Sequence, residues 1–180
     1  RRPPRSPLFP YTTLFRSNVA RPALNAGAGG NKKDKIIVFD WDDVDTYTRD
    51  GATASAITMV AATGKQYTVY ATVSTIDANY KVEGDEDAEG FMHQVKFDHP
   101  GDALAIMDFI QNWTGKNCGI IIEKCSGTDM IQYGTPCAPL KLKASGVDTK
   151  DKLAQTMEFS ASVKYPYVPA HFTGTLTLAE

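Results

Sequence analysis

Long stretches of this chain alternate apolar and polar residues, and this period of two constrains the fold more than any other feature. Between residues 157 and 165 the odd-numbered positions are apolar or aromatic, and the even-numbered positions are polar. A period of two places successive side chains on opposite faces of a strand. The pattern therefore predicts half-buried strands with one face on a core and one in water. It is more typical of a structural building block than of an enzyme.

Similar patterns along the chain predict about ten strands. The apolar run at 36–39 predicts a short strand, and 40–51 is predicted to be an acidic, turn-like region. Residues 66–74 are predicted to form a strand with Tyr67, Val69, Ala71 and Val73 on one face, and 76–82 to be its hairpin partner. Residues 83–90 form a charged loop. The other predicted strands are 54–60, 91–97, 118–124, 130–133, 138–143, 154–165 and 172–178.

One segment has the spacing of a helix instead. Pro100 and Gly101 interrupt the alternation, Asp102 is a suitable N-cap, and Gly115 is placed to end the helix. The apolar stripe predicted to pack on a sheet comprises Ala103, Ile106, Met107, Ile110 and Trp113, with Leu104 and Phe109 off it. The predicted fold class is mostly β: an antiparallel sandwich or barrel of about ten strands with one flanking amphipathic α-helix at about 102–114.

The chain is predicted to contain one domain. Residues 8–17 (LFPYTTLFRS) resemble the translation of a sequencing adapter, so 1–17 is interpreted as non-native, 18–34 as a flexible arm and 35–180 as a single β-rich domain. Residues 1–17 hold four arginines and no acid, so the net charge of −2 becomes −6 for the rest. An acidic body is poorly suited to gripping DNA, because that affinity comes mainly from lysine and arginine.

Composition narrows the class further. Hydrophobic residues make up 42% of the chain, enough for a core. No apolar run approaches the ~18 residues that span a bilayer, and no signal peptide is recognisable, so a soluble protein without a membrane partner is expected. Cys118, Cys125 and Cys137 are predicted to be reduced and partly buried rather than a disulfide framework.

The sharpest enzymatic candidate is the strand at 36–39 followed by Asp40 and Asp42. It resembles the first motif of haloacid-dehalogenase-type phosphatases, in which the first aspartate attacks phosphorus and carboxylates hold Mg²⁺. Such enzymes need a parallel sheet between helices, which one predicted helix cannot provide. A strand that runs into a solvated acidic turn is the preferred interpretation, and no enzyme activity is predicted.

Other candidate sites are weaker. Asp85, Glu86, Asp87 and Glu89 could hold Ca²⁺, but their spacing does not match a helix–loop–helix calcium site, and a solvated loop is preferred. The three histidines are His93, which is predicted to be packed, His99 and His171. None of them pairs with the cysteines at a zinc spacing. A catalytic Cys–His pair remains an open alternative. No catalytic, metal or cofactor-binding residues are assigned, and no cofactor is predicted. A carbohydrate-binding sandwich would require Tyr165, Tyr167 and Trp41 to be exposed in a row.

Several segments together resemble the tail tube proteins of tailed bacteriophages. They are NAGAGGNK at 25–32, EGFMHQVKF at 89–97, CGIIIEK at 118–124 and YGTPCAPL at 133–140. The resemblance covers most of the chain beyond Leu24, and it rests on element order rather than on an invariant motif.

This resemblance implies a β-sandwich or barrel with a flanking helix, assembled as stacked hexameric rings, with no catalytic residues to transfer. It implies a virion protein, assembled in the host cytoplasm, whose partners are copies of itself and other tail proteins such as the tape measure. DNA would be only passing cargo. The polar faces predicted for the tube wall comprise Glu158, Ser160, Ser162, Thr173, Thr175 and Thr177. The alternatives are another β-rich virion component, such as a connector or decoration protein, and the phosphatase.

Overall fold

The computed structural model describes residues 31–61, 63–125 and 129–179. Segment 1–17 and most of 18–34 lie outside this part of the chain. The described residues form eleven strands and one α-helix, which confirms the mostly β class. In chain order these are β1 (Lys32–Asp40), β2 (Val44–Asp50), β3 (Thr53–Met59), β4 (Tyr67–Tyr70), β5 (Asp77–Glu83), β6 (Gly90–Pro100), α1 (Leu104–Trp113), β7 (Cys118–Lys124), β8 (Met130–Tyr133), β9 (Leu140–Asp148), β10 (Leu153–Ala161) and β11 (Ala170–Phe172).

All eleven strands belong to one hydrogen-bonded sheet. Nine of them follow the order β2-β3-β11-β8-β7-β9-β10-β6-β5, and β1 pairs with both β7 and β4. The pairs between named strands are antiparallel, except that β11 runs parallel to β3. A sheet this long must fold back on itself to bury its apolar faces, which is consistent with the predicted sandwich or barrel.

The central pair, β1 and β7, is buried on both faces. Alternate residues of these strands enter two different hydrophobic clusters: Ile36 and Ile120 belong to the larger, Ile37 and Ile121 to the smaller. The larger cluster also contains β6 and β10 residues such as Phe97 and Phe159, whereas the smaller one contains β3 and β11 residues. This double burial explains why both strands have continuous apolar runs instead of alternation.

Helix α1 covers one side of the larger cluster, as predicted. Ile106 and Trp113 are buried there, and Phe109 and Ile110 pack against it. The buried stripe is therefore rotated from the predicted one, because Phe109 packs against the core while Met107 is 46% exposed.

The helix termini differ from the prediction at one end. Ala103, and not Asp102, is the N-cap residue, and its methyl side chain accepts no capping hydrogen bond. At the other end Gly115 adopts φ of +87°, a conformation that favours glycine, and so ends the helix as expected.

Several predicted boundaries are wrong. The region 40–51 is not a turn: Trp41–Asp43 is one 3-10 turn, and Val44–Asp50 is a strand that pairs with β3. β4 is short, with Tyr67 and Val73 exposed, and β5 pairs with β6 rather than with β4. The predicted strand at 154–165 ends at Ala161, and the predicted strand at 172–178 is only the short β11.

Candidate functional site

Four consecutive neighbours in the sheet, β9, β10, β6 and β5, form a continuous antiparallel surface that we call the polar wall. Its inner face is apolar, since Phe97 and Phe159 stack with ring centroids 6.1 Å apart in the larger cluster. Its outer face presents the alternate polar residues of each strand. Period-two alternation in β6 and β10 produces this division directly.

Charges alternate in sign across the outer face. In the strand register, Asp77 of β5 lies opposite Lys96 of β6, Lys96 lies opposite Glu158 of β10, and Glu158 lies opposite Lys143 of β9. Oppositely charged neighbours across a strand pair stabilise that pairing by roughly 0.2–1 kcal/mol each. The row thus supports the wall, and it ends in a negative residue on β5 and a positive residue on β9.

Both margins of the polar wall have free strand edges in the described part of the chain. β5 pairs only with β6, and β9 pairs with β7 through Leu140 alone. The β5 margin carries the exposed apolar side chains of Tyr80 and Val82, and β9 carries the exposed Val147. Free edges with apolar side chains are templates for pairing with another chain.

A groove of about 490 Å³ runs beside the middle of β5. Tyr80 lines it on the β5 side, and Tyr133, Val168 and Pro169 line it on the other. Burial raises the pKa of Tyr133 to about 12.

The phosphatase candidate Asp40 lies at the end of β1, between antiparallel β4 and β7 rather than in a parallel sheet. It is 4% exposed, and its carboxylate accepts a hydrogen bond from the Lys116 Nζ at 2.7 Å and from the backbone N–H of Asp42 at 3.1 Å. The hydrogen bond to Asp40 raises the pKa of Lys116. Asp42 accepts hydrogen bonds from the Asn117 side chain. Both carboxylates have local partners, an arrangement that favours a structural ion-pair network.

His93 is packed, as predicted, and its ring bonds to two backbone groups. His99 and His171 lie nearer the surface, where His171 contacts Asp129. Among the residues described, no three histidine, cysteine or acidic side chains come together as a metal site, and this includes the loop with Asp85, Asp87 and Glu89.

Of the cysteines, only Cys118 is buried, and burial raises the pKa of its thiol to about 12; Cys125 and Cys137 are exposed, contrary to the prediction that all three are partly buried.

The exposed aromatic row that a carbohydrate-binding sandwich would require does not form. Tyr165 and Tyr167 are neighbours with ring centroids 5.1 Å apart, but Trp41 is 7% exposed and packs between Phe39 and Tyr47. The structure therefore lacks the geometry required by the carbohydrate hypothesis.

The residues that the sequence predicts for the polar faces of a tube wall separate into two groups. Glu158 and Ser160 lie on the outer face of β10, as expected, and Ser162 follows the end of that strand. The exposed residues Thr173, Thr175 and Thr177 lie beyond β11 in an irregular segment and share no strand face. The residues that sequence reasoning missed are Asp77, Lys96 and Lys143, because the sequence does not show which strands become neighbours.

Comparisons with protein-family models, with curated proteins and with solved structures find no match for this chain. In the part of the chain that the structure describes, no helix combines the length and apolar character needed to cross a membrane.

Proposed function

We propose that this chain is a structural subunit of a bacteriophage tail tube that assembles into rings through the two margins of the polar wall. The observation that carries the proposal is the pair of free edges, β5 on one margin and β9 on the other. Each edge can accept a partner strand, and a second copy of the chain would supply the complementary one.

The strand directions support a ring. The four strands of the wall alternate in direction, so β5 and β9 at its two margins run antiparallel to each other. If the β5 edge of one copy meets the β9 edge of the next, every neighbouring pair in the combined sheet is antiparallel. A contact between two different surfaces of the same protein is heterologous, and such contacts generate closed rings when the rotation between copies closes.

The charge row supports the same contact. Asp77 at one margin and Lys143 at the other have opposite charges, so joining these margins at that level continues the alternation without a like-charged pair. In the register in which Asp77 faces Lys143, residues 77–79 of β5 meet residues 143–141 of β9, and the strand contact ends where Leu140 pairs with Cys118 of β7. We expect this short contact, with the two charges at its end. Complementary charge mainly selects the partner and the register.

The outer face suits a surface along which a polyanion passes. Lys96 and Lys143 are matched in the row by Asp77 and Glu158, and Lys81 forms an ion pair with Glu83 farther along β5. Tight binding to DNA requires an excess of cations that neutralise phosphates. Lys152 pairs with Asp98 of β6, whereas Lys141 of β9 bonds to the Gly115 carbonyl and to Asn117 instead of an acid. Acids thus balance all but one of these cations, and we assign this face to the lumen.

Reversing either charge at the proposed contact is expected to impair assembly. In Asp77→Lys or Lys143→Asp, like charges face each other, and we expect the concentration needed for assembly to rise about tenfold or more, equivalent to roughly 1.4 kcal/mol per contact. The double variant restores opposite charges and should assemble nearly as the original chain does. Sedimentation velocity and negative-stain electron microscopy measure both outcomes.

The matched control is Lys65→Asp, the same charge reversal at an exposed loop residue outside the wall. It should leave assembly unchanged. A normal assembly of both single variants, or no recovery in the double variant, would rule out this register. Dispersed monomers of the original chain at every concentration would contradict the tube proposal itself. Isolated rings that never stack would favour a connector-type or decoration component instead.

The phosphatase alternative is tested by Asp40→Asn. The amide can still accept the hydrogen bond from the Asp42 N–H but loses the charge that pairs with Lys116, so stability should fall by about 1–2 kcal/mol. Assembly should be unchanged, and neither the variant nor the original chain should hydrolyse a phosphate monoester in the presence of Mg²⁺. Turnover by the original chain that disappears in the variant would establish the enzyme.

A further inference from the structure

His93 is a buried polar residue that links three parts of the chain. It lies on the inner face of β6 and is 3% exposed. Its Nδ1 is 3.1 Å from the backbone nitrogen of Gly134, in the turn after β8, and its Nε2 is 3.0 Å from the backbone oxygen of Tyr167, in the segment before β11. One imidazole ring thus holds both connections against β6.

These two partners determine the protonation state of the ring. A backbone N–H can only donate, so Nδ1 must accept with its lone pair; a carbonyl oxygen can only accept, so Nε2 must carry the proton. The ring of His93 is therefore neutral. A second proton on Nδ1 would point toward the N–H of Gly134 and replace a hydrogen bond with a clash of two donors.

The surroundings do not compensate a positive ring. The Arg49 guanidinium of β2 approaches from one side, where it donates to the Val168 carbonyl at 2.6 Å and lies over the Tyr167 ring. Glu158 bonds to Gln94, on the opposite face of β6. No described carboxylate bonds to either ring nitrogen. Tyr80 of β5 lies opposite His93 and Tyr133 of β8 packs edge-on against it, while Asp77, Lys81 and Glu83 of β5 alternate onto the outer face. The remaining ionisable side chains of the two held segments are Cys137, Tyr165 and Tyr167.

We propose that His93 is an acid-sensitive latch, which holds the Gly134 turn and the segment at 165–169 against β6 at neutral pH and releases them when the ring gains a second proton. Because Tyr133, Val168 and Pro169 line the groove beside β5, this release would open one side of the groove. The inference concerns the folded subunit and does not depend on the proposed tube function.

The direction of the pH effect follows from linkage. Burial, and to a lesser extent the nearby Arg49 charge, lowers the pKa of His93 from its ordinary value of 6.5, with an opposing contribution from the Tyr167 hydrogen bond. The open state binds the proton more readily, so the latch is fully closed above pH 6.5 and weakens as pH falls from there toward the lowered pKa. With an open-state pKa near 6.5, the opening equilibrium can grow by at most about 30-fold between pH 7.5 and pH 5.0, the limit that applies when the closed state binds no proton.

Amide hydrogen exchange by NMR tests the latch in the full chain. After correction for the intrinsic pH dependence of exchange, protection of the Gly134 amide should fall by up to about 30-fold between pH 7.5 and pH 5.0. Protection of Phe159, in the middle of β10, should stay unchanged. In His93→Gln the amide can donate and accept without titrating, so the pH dependence should disappear. His99→Gln and His171→Gln, at less buried histidines, should behave as the original chain does.

Direct titration of the ring covers the case in which His93→Gln fails to fold. The ¹⁵N shifts of His93 in the original chain should show an unprotonated Nδ1 at pH 7.5 and a pKa below 6.5. A proton on Nδ1 at pH 7.5, a pKa at or above 6.5, or equal protection of Gly134 at both pH values would overturn the proposal. Loss of protection at Gly134 and Phe159 together would also overturn it, because that result indicates global acid unfolding.

Discussion

Replacing Gly119 with alanine is expected to lower the free energy of unfolding by about 3 kcal/mol, a large effect for one added methyl group. Gly119 lies in β7 directly opposite Phe39 of β1. A Cβ atom at Gly119 would lie 2.3 Å from the Cζ of Phe39, closer than nonbonded carbon atoms approach. Phe39 is completely buried in the smaller cluster, so its ring has no free space to enter. Urea denaturation of both proteins measures the difference.

A double-mutant cycle tests the cause. Phe39→Leu alone should destabilise the protein, because it removes buried volume from the core. In the Phe39→Leu background, Gly119→Ala should lower the free energy of unfolding much less than it does alone. The reason is that the ring that the new methyl group would strike has been replaced by a smaller side chain. Effects that simply add would show that the cost arises in the β7 backbone rather than at the ring of Phe39.

Trp113→Ala is expected to lower the free energy of unfolding by about 3–5 kcal/mol and to detach α1 from the sheet. The Trp113 ring packs edge-on against Tyr67 of β4 at 5.6 Å and stacks with Phe109 at 5.3 Å between centroids. It is 7% exposed and is the last residue of the helix that touches the larger cluster. Chemical denaturation gives the loss of stability, and hydrogen exchange along α1 reports detachment.

Leu104→Ala is the matched control on the same helix. Leu104 is 76% exposed, so the same kind of truncation removes little buried area, and the expected change is within about 0.5 kcal/mol. Because alanine favours the helix at either position, similar losses from both variants would show that burial of the Trp113 ring does not determine how α1 is held.

The sequence predicts the fold class well wherever one face of a strand determines its pattern. Alternation at His93, Val95 and Phe97 predicts the inner face of β6, and the apolar run 118–124 matches β7. The sequence does not predict exposed strands that contain few apolar residues. β2 is such a strand: acidic and threonine-rich, it resembles a turn in sequence, and its pairing with β3 makes it a strand. Tertiary pairing overrides local propensity there.

The candidate site is less predictable than the fold. Alternation alone predicts that Glu158 and Ser160 lie on a polar face, and the structure confirms it. The charge row, however, joins residues from four strands far apart in the chain, and no local pattern shows that Asp77 and Lys143 occupy opposite margins. The two hydrogen bonds of the His93 ring are equally unpredictable, because their partners are backbone groups distant in sequence.

The burial of β1 and β7 on both faces affects how the protein folds during its synthesis on the ribosome. Ile36 emerges long before Ile122, its neighbour across the strand pair, so both sides of β1 await residues that have not yet been synthesised. Closing such a long loop slows folding. Until β7 is synthesised, the apolar strand β1 stays exposed and can aggregate. We expect productive folding to begin only after β7 leaves the exit tunnel, and nascent chains stalled before Cys118 to require chaperone binding to remain dispersed.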